Sequence, residues 1–174
     1  DRKEVERCRL AFETAAEGKQ VAMICSVDAG VYGMAGLMYE LSEEWPDIEI
    51  KVIPGVTAAT GGAAVLGAPL IHDFALISLS DLLTPWEKIE KRIRGAAMAD
   101  FVICLYNPSS RKRADYLKKA CEYILEYQSP DTVCGYVRNI GREGEDAHIL
   151  TLSELKDTEV DMFTTCLLYT SPSP

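Results

Sequence analysis

Two short apolar runs, residues 21–25 (VAMIC) and 49–53 (EIKVI), each end in a turn that leads into a helix-patterned stretch. Ser26-Val27-Asp28-Ala29-Gly30 follows the first and Pro54-Gly55 the second; helical spacing resumes over residues 32–43 and 57–66. Strand–helix–strand–helix order with turns this short predicts parallel strands in an α/β sheet, because parallel neighbours need a crossover and a helix supplies it. It also predicts that both turns lie at the carboxyl edge of that sheet, where open α/β sheets bind ligands. Residues 4–16 form a preceding helix, with Val5, Cys8, Leu10, Ala11 and Ala15 on one face and Gly18 just past its end.

Gly67-Ala68-Pro69 interrupts this pattern and is the expected domain boundary. Beyond it, strands are predicted at 74–79, 101–106, 133–137 and 148–152, with a last strand from Thr164. Helices are predicted at 85–94, from Ser109 or Ser110 to about Gln128, and briefly at 153–156. The fold class is therefore α/β, with residues 1–68 as the remainder of an N-terminal domain and 69–166 as a C-terminal one. The chain opens on Asp1 rather than Met, and residues 167–174 (LLYTSPSP) change character abruptly. Those eight are expected to be a non-native tail outside the fold.

Among 174 residues, 48% are hydrophobic and 26% charged, a globular balance. The formal net charge of -9 argues against general nucleic-acid binding, which needs a basic face. No apolar run reaches the length of a membrane span and no signal peptide opens the chain, so a cytoplasmic protein without a membrane partner is expected. Six cysteines without a CxxC pair, and two histidines, speak against a protein-held metal. Cys25, Cys104 and Cys134 sit in apolar runs and read as buried free thiols.

Five constellations can carry chemistry. Asp28 and Gly30 lie in the first strand-to-helix turn, as a ligand loop or an ordinary turn. Thr57 and Ala58 open a small-residue helix, where the Thr hydroxyl can cap the helix or meet a ligand. Asn107-Pro108-Ser109-Ser110-Arg111-Lys112-Arg113 follows a strand; cations at a helix start are unfavourable unless an anion sits there, the alternative being a solvated charge run. Arg138-Asn139-Ile140-Gly141-Arg142 forms a glycine-bearing loop after another strand. His72, beside Asp73 at the domain junction, is either structural or a proton-handling group.

These segments resemble the tetrapyrrole methylases, in particular the precorrin-3B or cobalt-factor III C-17 methyltransferases. The matching stretches are SVDAGVYGMAGL, VIPGVTAATGGAAVLGAPLIHDFALISLSDLLTPWEKIEKR, DFVICLYNPSSRKR, VRNIGREGE and VDMFTT. The turn after the first strand and PGVTA are shared by methylases generally; HDFALISLSD and NPSSRKR point to the C-17 group. The family departs at Val27, where it carries Gly, so a strained positive φ is expected there. Its N-terminal strand and Gly-Pro-Gly loop would precede residue 1, and its last strand would continue where the tail begins.

The resemblance implies two α/β domains with S-adenosyl-L-methionine in the cleft between them, and a homodimer. The cofactor-binding positions fall on Asp28, Gly30, Val31, Thr57, Ala58, Asn107 and Ile140. The implied reaction is methylation of C-17 of precorrin-3B or cobalt-factor III with ring contraction, in cobalamin biosynthesis. An electron-rich pyrrole carbon is already nucleophilic, so placement matters more than a strong base; His72 is the candidate for proton handling. Arg111, Arg113, Arg138 and Arg142 are expected to grip the substrate's carboxylates. The alternatives are a methylase of another ring carbon, a diphthamide-type methyltransferase, and an inactive fragment of the fold.

Overall fold

A computed structural model describes residues 3–110 and 113–169. The chain divides into two compact units, Asp1–Thr57 and Ala58–Pro174.

In the first unit, helix α1 (Glu4–Ala16) buries Cys8 and Phe12, four residues apart on one face. Phe12 stacks on Trp45, with ring centroids 4.8 Å apart. Arg9 grips Glu44 through two 2.7 Å hydrogen bonds beside that stack. Helix α2 (Ala35–Leu41) runs into a 3-10 turn at Ser42–Glu44.

The runs at 21–25 and 49–53 are not strands. Among the described residues, all five strands lie in the second unit. An apolar run becomes a sheet strand only when neighbours take up its backbone groups. Here Ile24 and Ile53 stay 82% and 67% exposed instead.

The second unit holds helix α3 (Ala58–Leu66), β1 (Phe74–Ser78), α4 (Trp86–Met98), β2 (Val102–Tyr106), α5 (Tyr116–Leu125), β3 (Val133–Arg138), β4 (Asp146–Thr151), α6 (Leu152–Lys156) and β5 (Thr164–Leu168). The sheet order is β1-β2-β5-β3-β4. Among the described residues only β1 and β2 pair in parallel; the other ladders are antiparallel, so the sheet is mixed rather than parallel throughout.

Strand alternation sorts the core into two layers. Ile103, Leu105, Cys166, Leu168 and Cys134 join Ile89 and Ile93 of α4 and Leu117, Cys121 and Ile124 of α5 in one buried cluster. Each large aliphatic side chain buried there contributes roughly 1.5–3 kcal/mol. The opposite face takes α3: a Cβ on Gly135 would lie 2.7 Å from Leu66 Cδ1 and 3.3 Å from the His148 carbonyl oxygen, so glycine lets the helix pack closely there. Asp100, with φ 60, supplies the left-handed turn between α4 and β2. Thr151 and Glu154 form a reciprocal capping box on α6.

Leu167 and Leu168, expected in a tail outside the fold, are buried in the middle of the sheet. β5 pairs with β2 on one side and β3 on the other, and Tyr169 N–H extends the pairing to Val133 carbonyl at 2.9 Å. Two leucines preceding a polar stretch suit a central strand, since both faces are covered. Residues 170–174 lie outside the described residues.

All six cysteines are free, and all but the half-buried Cys25 are buried. Burial pushes the Cys104 and Cys134 thiols up to about 12, so both stay protonated.

Candidate active site

In the first unit, the turn at 26–31 is fastened by its own carboxylate. Asp28 Oδ1 accepts the N–H groups of Gly30 and Val31 at 2.7 and 3.1 Å. Asp28 Oδ2 accepts the N–H of Gly55 at 2.8 Å. The two turns singled out in the sequence are thus joined by one side chain. The Gly55 bond, followed by that of Gly30, holds the Asp28 carboxyl below its ordinary range. Gly55 is sterically required: a Cβ there would sit 2.9 Å from Val27 carbonyl oxygen and 3.2 Å from Asp28 Cα. Val27 is not among the residues with positive φ, so the expected strain is absent; the left-handed residue of this loop is Tyr32, with φ 53. Thr57 is half-buried and immediately precedes α3.

In the second unit, β1, β2 and β3 point the same way, because β1 parallels β2 and β5 runs antiparallel to both β2 and β3. Their carboxyl ends share one edge, and four features converge there. Asn107 ends β2 with φ 53, and Asn139 follows β3 with φ 52; asparagine tolerates this region better than most side chains. Asn107 Nδ2 donates to Ser78 Oγ at the end of β1, at 3.0 Å. The loop after β3 turns back through Gly141 and Gly144, with φ 68 and 75. Its Gly141 N–H donates to Glu145 Oε2 at 2.6 Å.

The fourth feature is the N-terminus of α3. Gly62 faces Val137 and Ile140, whereas Leu66, one turn later, faces Gly135 deeper in β3. The helix therefore runs antiparallel to β3 and opens at the carboxyl edge. Tyr106 Oη accepts the buried N–H of Ala59 at 2.5 Å, satisfying a first-turn amide that the helix itself leaves unpaired. Ala58, Asn107 and Ile140 are thereby brought together around one sheet edge.

The basic residues divide. Arg113 is pinned: it donates to Ser110 Oγ at 3.0 Å and Ser80 Oγ at 2.8 Å, and pairs with Asp81 at 3.3 Å. It does not open a helix as expected, because α5 begins at Tyr116 with Asp115 as its cap. Arg138 pairs with Asp161 at 2.8 Å and stays half-exposed. Arg142 is exposed, with no ion pair among the described residues. Arg111 lies outside the described residues.

His72 is not part of this edge. It precedes β1, so it stands at the amino end of the sheet, where its ring stacks at 6.4 Å on Tyr169. An apolar cavity of about 340 Å³, lined by Leu66, Pro69, Ile71, Val133, Ile149 and Tyr169, occupies that same end. Among the described residues no group of His, Cys, Asp and Glu could hold a metal ion, and no helix is long and apolar enough to cross a membrane.

Sequence reasoning missed Tyr106 and the fastening by Asp28. An Asp two residues before a Gly is the available signal for the second, since such a carboxylate readily accepts the glycine N–H. A Tyr that ends an apolar strand gives no hint of which helix its hydroxyl will reach.

Known proteins carry the same arrangement of elements. The chain is 51% identical over 161 residues to a probable cobalt-factor III C(17)-methyltransferase of Salmonella typhimurium, covering 92% of this chain and 67% of that protein. It is 47% identical to a cobalt-factor III methyltransferase of Priestia megaterium, covering 95% of this chain and 32% of that protein. The crystal structure of the methyltransferase CobJ superposes with a TM-score of 0.88 at 36% identity, over 97% of this chain and 72% of that one. The model of the Tetrapyrrole (Corrin/Porphyrin) Methylases matches residues 1–156. With nine-tenths of its length aligned to that model and half its residues shared with a relative, the chain belongs to the tetrapyrrole methylase family.

Proposed function

We propose that the chain transfers the methyl group of S-adenosyl-L-methionine to C-17 of cobalt-factor III or precorrin-3B, with contraction of the ring. Its likeness to cobalt-factor III methyltransferases carries this reading. The chain spans only a third to two thirds of the length of the two curated relatives named above. Activity is therefore assigned here by their chemistry and by the sheet edge.

The edge fits such a cofactor by the chemistry of its groups. It offers the Asn107 carboxamide, the first turn of α3 and the aliphatic Ile140. Neutral donors and acceptors of this kind suit an adenine rim, ribose hydroxyls and an amino-acid backbone. When bound, the cofactor supplies an electrophilic methyl on a positively charged sulfur. On the second unit, Ala58, Asn107 and Ile140 are assigned to holding it; for Asp28, Gly30, Val31 and Thr57 of the first unit, a cofactor contact is proposed on the family resemblance alone.

The chain's own part is positioning. Asp28 fixes the two turns of the first unit, and Tyr106 fixes the start of α3, so neither loop need order itself on binding. A pre-arranged edge lets a nucleophilic pyrrole carbon meet the methyl in line without a general base. Arg142, exposed and unpaired among the described residues, is the side chain best able to meet a carboxylate of the substrate's rim directly.

Calorimetry with S-adenosylhomocysteine tests the cofactor assignment. The wild-type chain is expected to bind at one site, and Asn107→Asp to bind more weakly without loss of fold. Equal affinity in this variant would move the site elsewhere.

A further inference from the structure

The loop between β1 and α4 carries two leucines that no described residue covers. Leu82 is 78% exposed and Leu83 97%. The loop leaves the carboxyl end of β1, beside Ser78 and its bond to Asn107, so it stands on the edge assigned to ligand binding.

It is also held at both ends. At its start, Ser80 N–H donates to Ser78 Oγ at 3.2 Å, and Ser80 Oγ accepts from Arg113 at 2.8 Å. Asp81 accepts from Tyr116 Oη at 2.7 Å and pairs with Arg113. At its end, Trp86 lies 4.2 Å from the Tyr116 ring and donates to Tyr123 Oη at 3.2 Å. Arg113, through one guanidinium nitrogen, and the Tyr116 hydroxyl thus both bind this loop.

Single exposed leucines are ordinary on protein surfaces. Two adjacent ones, projecting from a pinned loop beside a ligand-binding edge, are an apolar contact already in place. A tetrapyrrole needs such a contact: its rim is anionic but its face is a broad apolar plane. We propose that Leu82 and Leu83 pack against the face of the macrocycle and set the affinity for it, while Arg113 acts behind them as a positioning residue. This inference rests on the tetrapyrrole reading above.

The test compares the wild-type chain with Leu82→Ser/Leu83→Ser, using cobalt-factor III as substrate. The variant is expected to raise KM at least tenfold, about 1.4 kcal/mol of lost contact. Its affinity for S-adenosylhomocysteine and its Tm should be unchanged, because exposed leucines support neither. The KM ratio should be the same at low and high salt, since apolar contact is not screened as ion pairs are. An unchanged KM, or an equal loss of S-adenosylhomocysteine affinity, would overturn the proposal. So would a variant that falls from dimer to monomer in sedimentation at unchanged KM, which would make the leucines a contact between copies. A wild-type chain that binds S-adenosylhomocysteine but shows no saturable use of the tetrapyrrole would overturn the functional reading itself, and this inference with it.

Discussion

Asp28 accepts the N–H of Gly55, twenty-seven residues away, at 2.8 Å, while its other oxygen accepts Gly30 and Val31. The carboxylate is engaged by the chain's own backbone, so its service to a ligand passes through the shape of the two turns. Asp28→Asn replaces one acceptor oxygen with an NH2 group that faces an N–H. It is expected to weaken S-adenosylhomocysteine binding, and Asp28→Ala more so, both measured by calorimetry.

The same carboxyl gives a pH dependence with a definite sign. Its folded value is lowered, chiefly by the Gly55 bond, while the unfolded chain titrates in the ordinary range. Above the ordinary range its stabilisation is fully present; it is lost as pH falls through the lowered folded value. Tm measured across the acid carboxylate range should therefore fall more steeply in the wild type than in Asp28→Asn. Parallel curves would show that Asp28 is not a fastener.

Two glycine-to-alanine changes should act in opposite directions. Gly55→Ala places a methyl 2.9 Å from Val27 carbonyl oxygen and must part the two turns. It should lower Tm and weaken cofactor binding together. Gly36→Ala, in α2 with nothing within 4 Å, should instead raise Tm, since helical alanine is favoured over glycine by roughly 0.5–1 kcal/mol.

Tyr106→Phe should strand the buried Ala59 amide that its hydroxyl accepts at 2.5 Å. Leaving a buried donor unpaired costs about 1–3 kcal/mol. Chemical denaturation reads that loss, and hydrogen exchange at the first turn of α3 should speed up. Unchanged exchange would mean that another group satisfies the amide.

Much of the second unit is legible in the sequence, because its strands are apolar runs bounded by turn residues. Residues 101–106 and 133–137 are strands within one residue of the expected bounds. Where the sequence misleads, the cause is partnership. VAMIC at 21–25 has the composition of a buried strand, but composition does not say whether a neighbour will pair with it. Leu167 and Leu168 belong to the sheet through pairing with β2 and β3, which no local pattern reveals. Asn107 and Ile140 follow apolar strands, which places them at strand ends; their assignment to the cofactor comes from the family resemblance. His72 stands out in the sequence by residue type and neighbours, whereas strand direction sets it at the opposite edge.

Two arginines separate direct from indirect action on the substrate. Arg142 is exposed and unpaired among the described residues, so Arg142→Ala should raise KM for the tetrapyrrole at low salt and much less at high salt. Arg113 is held by Ser80, Ser110 and Asp81, so Arg113→Ala should raise KM at both. Identical salt responses in steady-state kinetics would remove the distinction.

The proposed reaction is methyl transfer to one carbon of a tetrapyrrole. Incubating the chain with cobalt-factor III and S-adenosylmethionine labelled with carbon-13 in its methyl group tests it most directly. The expected product has gained one labelled methyl by mass, placed at C-17 by carbon NMR, with the ring contracted. A folded chain that binds S-adenosylhomocysteine but transfers no label, or transfers it to another carbon, would contradict it.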